Sequence, residues 1–542
     1  MKKYLLGLFL SLGDKYGVTD ETEMNFEIPK NESHGDYSTN IAMTLARKLK
    51  KNPRDLAHEI IYSIHHDPSV IEKVEVAGPG FINFYFKKEY ISGKVGNILV
   101  EGAKFGKTTT NKGKKANVEF VSANPTGPLT VGHGRNAVSG DTMANLLEAT
   151  GYEVDREYYF NNAGRQMRVL GNSVRLRYLE LIGVQEEFPE DHYQGEYISD
   201  IARGLFEQHG DTLKEEGPEG IFKAEAERVI FEDISKTLGR LGIKHKIFFN
   251  ENSLYDDGKI QGLLDTFKEK GLSYEKDGAV WMKLSELGNE KDKVIVKNTG
   301  EPTYRLPDIA YHATKFDRGY DFIVDLFGSD HTATYPDVLA ALSELGYDTG
   351  KVKVMIHQFV TIIKDGKAVK MSTRKANYIT LDELIDWVGS DVVRYFFNMR
   401  AISTHLNFDL NLAVKHSEEN PVFYLQYAHA RICSIIRMTE QEGLQLSTEG
   451  LDLLVTDEEQ RLIKKLLFFP EAVENAAKVL DAVVLCAYLE ELAAAFHKFY
   501  TVCRIIGSET KLASARLALV HAVKLVIANG LGILGVTSPE KM

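Results

Sequence analysis

Two spacings of apolar residues alternate along this chain, and the points where one replaces the other mark its organisation. Within residues 1 to about 90, a helical spacing near Thr39–Lys50 is followed by alternating strands at Lys73–Val76 and Phe81–Phe86, which flank Gly78-Pro79-Gly80. This predicts a small α+β unit. The polar stretch Gly106–Lys115 reads as a linker, with a new domain beginning at Ala116. From Ala116 to about Arg400, short β-branched runs such as Val118–Val121, Asp321–Leu326 and Val352–Ile356 alternate with longer helical patterns. That alternation marks a parallel sheet with crossover helices, because each parallel connection must return across a face of the sheet. A helical, charge-rich stretch from about Arg165 to Arg240 interrupts it as an insertion. After Leu412 strand patterns nearly vanish, and helical spacing runs through Val422–Arg437, Glu459–Leu467, Ala482–Tyr500 and Ala513–Ala528. The expected fold is multidomain α/β: a small α+β domain over residues 1–105, a Rossmann-like parallel-sheet core over 106–410 with a helical insertion at about 165–240, and an all-α helical bundle over 411–542.

The 542 residues, 44% hydrophobic and 26% charged, fit an ordinary globular protein of several domains, and add no function to that picture. The net charge of -12 excludes a protein that coats nucleic acid through bulk positive charge, so an RNA partner would have to meet local basic patches. Residues 411–542 themselves carry more acidic than basic residues. Cys433, Cys486 and Cys503 sit in apolar, helical surroundings without a CxxC pair, which reads as core thiols in a reducing compartment, hence a cytoplasmic location. Lys2-Lys3 followed by an apolar run superficially resembles a signal peptide, but Asp14 and Lys15 follow without a small-residue cleavage site, so an amphipathic first helix is expected. No stretch approaches the ~20 apolar residues of a membrane span.

The segment Val118–Arg135, VEFVSANPTGPLTVGHGR, carries the most chemistry. An apolar strand enters a Pro- and Gly-rich turn, and an amphipathic helix opens at about Gly134 and runs to Glu148. In an open parallel sheet this is where nucleotide phosphates bind, at strand C-termini facing a helix N-terminus. Gly127 and Gly132 permit close approach, and His133 can offer a ring N–H to developing phosphate charge. A second element, Lys370-Met371-Ser372-Thr373-Arg374-Lys375, follows a strand (Val352–Ile363) and a Gly turn and precedes a helix from about Thr380. Cations on such a loop can meet phosphates as charge builds in nucleotidyl transfer.

The first segment resembles the HIGH signature of class I aminoacyl-tRNA synthetases, and SANPTGPLTVGHGR looks like the arginyl branch. The basic run resembles the KMSKS loop of the same class, in the expected order. Both depart from the pattern: Thr130 stands where the signature has its first His, and Thr373 replaces the second Lys of the loop. The resemblance implies ATP binding by Pro125, Thr126, Gly127, Pro128, Leu129, Thr130, Val131, Gly132 and His133 together with Lys370, Met371 and Ser372, and catalytic roles for His133, Lys370 and Arg374. Arg374 or Lys375 is expected to supply the missing charge.

A guanidinium presents five donors in a planar fork and is best met by carboxylates. TYRLPD (Thr303–Asp308) looks like the family segment in which a Tyr and an Asp hold the arginine side chain, here Tyr304 and Asp308; Glu251 resembles a further guanidinium partner. Asn124 resembles the residue that contacts the substrate's backbone end, and Asp330 and His331 look like members of a site-lining turn. Similarity extends to His34–Asn40 and Gly78–Asn83, which match the N-terminal domain that contacts the tRNA elbow, to Tyr158–Gln166, and to Asn420–Arg431, which looks like the opening helix of an anticodon-binding bundle. Tyr424, Tyr427 and His429, with Arg431 nearby, are candidates for stacking on unpaired bases. The implied reaction is ATP-dependent activation of L-arginine to arginyl-adenylate, then transfer to the 3′-terminal ribose of tRNA(Arg) with release of AMP and pyrophosphate. Mg²⁺ would accompany ATP, with no dedicated metal site, no membrane partner and a monomeric enzyme. Two rival readings share parts of the pattern: a small-molecule nucleotidylyltransferase, which would lack the basic loop and helical C-terminal third, and a non-catalytic RNA-binding relative, which would explain Thr130 and Thr373.

Overall fold

The computed structural model describes residues 1–16, 24–29, 31–162, 164–369 and 378–542. At its centre is a five-stranded parallel sheet built from β1 (Lys115–Glu119), β2 (Glu153–Phe160), β3 (Ile247–Asn250), β4 (Phe322–Gly328) and β5 (Val352–His357). In space the order is 3-2-1-4-5, so the chain reverses direction of travel between β1 and β4. Such a reversal leaves a crevice at the strand C-termini, because the helices after the two strands go to opposite faces. The crossover from β1 is α1 (Val131–Ala149), which starts three residues earlier than the periodicity predicts, capped by Thr130.

The insertion is helical, as its pattern predicts: α2 (Gly164–Leu181), α3 (Glu196–His209) and α4 (Lys223–Arg240) pack on one another before β3 begins. Two small sheets escaped the sequence reading. Ser273–Lys276, Ala279–Met282 and Lys293–Val296 form an antiparallel sheet that turns through Asp277-Gly278, both at positive φ, the conformation a two-residue hairpin loop requires. The expected single strand Val352–Ile363 is broken at Gln358 and Phe359. Its second half, Val360–Lys364, leaves the central sheet to pair in parallel with Leu406–Asp409 and, through Asp365-Gly366, with Lys367–Ala368. Arg135, fully buried on α1, fixes this departure by donating to the carbonyls of Gln358, Ala401 and Thr404 at 2.8–3.0 Å.

The N-terminal unit pairs four antiparallel strands and buries Leu5 and Phe9 of the first helix, Lys2–Leu10, against that sheet. It leans on the C-terminal bundle: Tyr37 donates to Glu471 at 2.5 Å, Lys464 pairs with Asp36, and Asn529 donates to the carbonyls of Gly102 and Phe105. The bundle comprises Pro421–Gln441, Asp457–Leu467, Phe469–Val479, Val483–Val502 and Thr510–Ile533. By length and composition the last of these could cross a membrane, closer to a span than the sequence reading allowed, yet it is mostly buried among its neighbours as a core helix. All three cysteines are buried and free.

Candidate active site

Past β1 the chain takes an unusual path: Val121 and Ser122 both adopt positive φ, 66° and 40°. For a β-branched residue this is strained, so surrounding bonds must hold it. They do. Asn136 of α1 accepts from the Val121 N–H at 2.6 Å and donates to the Leu326 carbonyl at 3.0 Å, stitching β1 to β4 across the reversal. The Ser122 hydroxyl donates to Glu119 and accepts from the Tyr159 N–H. The bend aims Asn124 to Thr130 over the N-terminus of α1.

At that terminus the Thr130 N–H donates to Nδ1 of His133 at 3.2 Å, and the Thr130 hydroxyl lies 3.4 Å from the same nitrogen. A backbone N–H can only donate, so Nδ1 must accept and the ring proton sits on Nε2. Burial lowers the His133 pKa, which keeps the ring neutral at pH 7. Gly134 lets α1 approach closely, since a Cβ there would stand 2.5 Å from Leu381. The Leu381 N–H donates to the Leu129 carbonyl, and Thr130 bridges Thr380. The N-terminus of α6 (Leu381–Val388), ten residues beyond Met371, is thereby tied to the turn. Lys370, Met371, Ser372, Thr373, Arg374 and Lys375 lie outside the described residues.

The expected guanidinium partners come from separate elements. Glu251 follows β3 and is 7% exposed, and Asp308 lies on α5 (Arg305–Asp317). Glu251 has a raised pKa, first because burial penalises its charge and further because Asp308 stands near, against a hydrogen bond from Tyr159 at 2.8 Å that favours the carboxylate. The Tyr159 phenol is pushed well up by burial, then by Glu251 and Asp308. Burial of Glu251 with Asp308 near it makes its charge costly, and a cationic guest placed there would lower that cost. Sequence reading missed Tyr159; its position next to the last residue of β2 was the available signal. Tyr304 sits one turn before Asp308 and is 77% exposed, away from the buried Glu251, while Asp308 is partly buried. Asn124 is exposed and donates to Gln166 of α2 at 2.7 Å. Asp330 and His331 stand in the turn Ser329–Ala333 after β4, and their side chains lie outside the described ones.

Beneath the pocket lies a buried ionic web that the sequence did not reveal. Lys315, fully buried on α5, donates to Glu119 and Asp325 at 2.5 Å each. Arg318 meets both oxygens of Glu157, which also accepts from Tyr311 and Asn117. His312 faces the Asp308 carbonyl through Nδ1 and Asp325 through Nε2; both partners only accept, so both ring nitrogens carry protons. Burial alone would lower the His312 pKa, but Asp325 outweighs it and the net shift is upward. Glu119, His312 and Asp325 lie close enough together for a metal ion, but the Lys315 ammonium supplies the cation there.

In the bundle, His429 is 2% exposed and bonds the Pro539 carbonyl, which removes it from the expected stacking set. Tyr424 lies against His497, whereas Tyr427 stacks on Phe423 with 37% of its surface exposed. Arg431 lies over the Tyr500 ring.

Comparison with known proteins matches these parts in order. Residues 10–86 match an arginyl tRNA synthetase N terminal domain, 94–394 the catalytic domain of tRNA synthetases class I (R), and 425–542 a DALR anticodon binding domain. The chain is 51% identical over 519 residues to an arginine–tRNA ligase of Desulfotalea psychrophila, covering 95% of this chain and 94% of that one. It is 50% identical to that of Salinibacter ruber over the whole length of both. Its fold superposes on Thermus thermophilus arginyl-tRNA synthetase with a TM-score of 0.79 at 21% identity, covering all of each chain. With a catalytic-domain match over residues 94–394, a parallel-sheet core and full-length relatives at half identity, this chain belongs to the arginyl-tRNA synthetases, ligases that use ATP to join arginine to tRNA.

Proposed function

We propose that the turn Pro125–His133 cradles ATP and that Glu251 and Asp308 grip the guanidinium of L-arginine. The observation that carries this reading is the buried Glu251 carboxylate, held by the Tyr159 hydroxyl and raised in pKa by burial and by the nearby Asp308, at the sheet end where a helix N-terminus suits phosphate. A bound guanidinium would favour the Glu251 carboxylate against the upward push of burial, and its planar fork suits two acids better than an ammonium does. Tyr304 closes over the side chain from the exposed start of α5, and Asn124 takes the substrate's backbone end, aided by Asp330 and His331.

The arginine carboxylate attacks the α-phosphate, pyrophosphate leaves, and the terminal ribose of tRNA(Arg) then takes the arginyl group with release of AMP. Acceleration comes from positioning and from donors aimed where charge grows. His133 supplies its Nε2–H, fixed in that tautomer by the Thr130 backbone, so Thr130 orients the histidine rather than touching phosphate as a charged group. Lys370 and Arg374, with Met371 and Ser372 on the same run, bring charge to the phosphates; Mg²⁺ arrives with ATP as part of the substrate. The N-terminal unit and the bundle hold tRNA, with Tyr427 available to stack on a base. The boundaries of these working units are 1–105, 106–410 and 411–542, and the enzyme acts as a monomer in the cytoplasm without a membrane partner.

Pyrophosphate exchange with each amino acid, with and without tRNA, tests the reading. Exchange with arginine alone is expected. Exchange driven by another amino acid, or none under any condition, would overturn it.

A further inference from the structure

The turn that faces α1 is touched by the helical insertion, a part of the molecule with no assigned role in nucleotide binding. Tyr197, in the first turn of α3, donates its phenol proton to the Thr126 carbonyl at 2.6 Å. The contact is possible because of the next residue. A Cβ built on Gly127 would stand 2.9 Å from the Tyr197 oxygen and 3.1 Å from its ring carbon Cζ. Gly127 is not at positive φ, so a larger residue there is opposed by this contact and not by the backbone. Tyr193, just before α3, meets the Thr126 side chain, and Tyr378, which follows the basic run, lies near Tyr197. Burial raises the Tyr197 pKa, as do its two tyrosine neighbours, so the phenol stays a donor at working pH.

We propose that Tyr197 is a positioning residue for the nucleotide cradle: it fills the space Gly127 leaves open and suspends the Thr126 carbonyl from the insertion. Thr126 and Gly127 lie between the strained bend at Val121-Ser122 and the capping residue Thr130, outside any helix or strand, where the Thr126 N–H bonds the Asn124 carbonyl at 2.7 Å. A tether here fixes how the Pro125–Gly132 loop presents its N–H groups to phosphate. The insertion thereby becomes a third support of the cradle, after α1 and the N-terminus of α6.

The inference rests on the reading that this turn holds ATP, and the experiment separates the two. Arginine-dependent pyrophosphate exchange with tRNA present is measured for Tyr197→Phe, Gly127→Ala, their double variant and His133→Gln, with melting midpoints alongside. Tyr197→Phe keeps the ring and should melt with the wild type, while its KM for ATP rises roughly 2- to 10-fold, as loss of one neutral hydrogen bond allows, and KM for arginine stays put. Gly127→Ala should also raise KM for ATP. In the double variant the oxygen that the new methyl meets is gone, so the combined loss should be smaller than the product of the single losses. An unchanged KM for ATP in Tyr197→Phe, or losses that simply multiply, would overturn the tether while a weakened His133→Gln left the cradle standing. If His133→Gln binds ATP as the wild type does, the cradle reading falls, and the tether with it.

Discussion

The proposed ATP cradle and the proposed guanidinium pocket sit at the same end of one sheet, yet they are made from different materials. The cradle is one contiguous stretch, Asn124 to His133, built of glycines, prolines and backbone N–H groups around a neutral histidine. It contributes almost no fixed charge of its own. The pocket draws Tyr159, Glu251 and Asp308 from three separate elements and stands on a web of ionised groups with a buried lysine at its centre. The difference follows from the guests. A triphosphate is satisfied by dipoles and mobile cations from outside, so its site can be a loop. A guanidinium needs anions held apart in low dielectric, and carboxylates stay in place there only if other cations and hydrogen bonds fix them.

If the web supports the pocket, breaking its centre should have the largest effect. Lys315→Met leaves Glu119 without its cation and Asp325 with His312 alone, a loss of about 3–5 kcal/mol, typical when one partner of a buried pair is removed; a depressed melting midpoint would show it, and a midpoint matching the wild type would contradict it. Next comes the guest itself. Asp308→Asn should lower kcat/KM for arginine roughly 10- to 100-fold, the value of a charge-assisted bond, and leave KM for ATP alone. Equal damage to both substrates would blur the division between the two halves.

On the cradle side, Thr130→Ala removes the capping hydroxyl of α1 beside His133 but keeps the backbone N–H, at about 0.5–2 kcal/mol; a lower melting midpoint with a modest cost in exchange rate is expected, and an unaffected enzyme would show that the hydroxyl contributes nothing to the turn. Smaller still is Tyr159→Phe, which deletes the hydroxyl that steadies Glu251 and should raise KM for arginine about 5-fold. The most delicate effect depends on pH. Since the His312 pKa is raised on folding, its stabilisation is complete below the unfolded value of about 6.5 and fades as pH climbs through the folded one. The stability gap between wild type and His312→Gln should therefore be widest in mild acid and narrow upward. A gap independent of pH would mean that His312 is neutral in the fold.

Sequence legibility follows the same division. The signature turn could be read because its function needs neighbouring residues in one order, and local order is what a string of residues records. Thr130 could be seen as a departure, but not as the group that sets the His133 tautomer, which needs the helix cap in three dimensions. Glu251 and Asp308 were reachable only through resemblance, since an acid at a strand end looks like any surface acid until its neighbour is known. Tyr159, Lys315 and Tyr197 carried no pattern of their own: an aromatic in a strand, a lysine among helical residues and a tyrosine in an insertion. The small sheets were missed although Asp277-Gly278 and Asp365-Gly366 are plain hairpin turns, because the strands they join are four and five residues long or shorter.

The sequence by itself determined the order of the three parts, the helical character of the insertion and of the last third, and the place of the Pro- and Gly-rich turn between β1 and α1. These depend on periodicities and contiguous turns, which are local. Only the tertiary structure decided which carboxylates face each other, which lysine neutralises them and which tyrosine holds the loop. Those relations reach across the chain: 71 positions separate Tyr197 from Thr126, and 196 separate Lys315 from Glu119. Their energies come from burial, and burial exists only after the sheet has assembled.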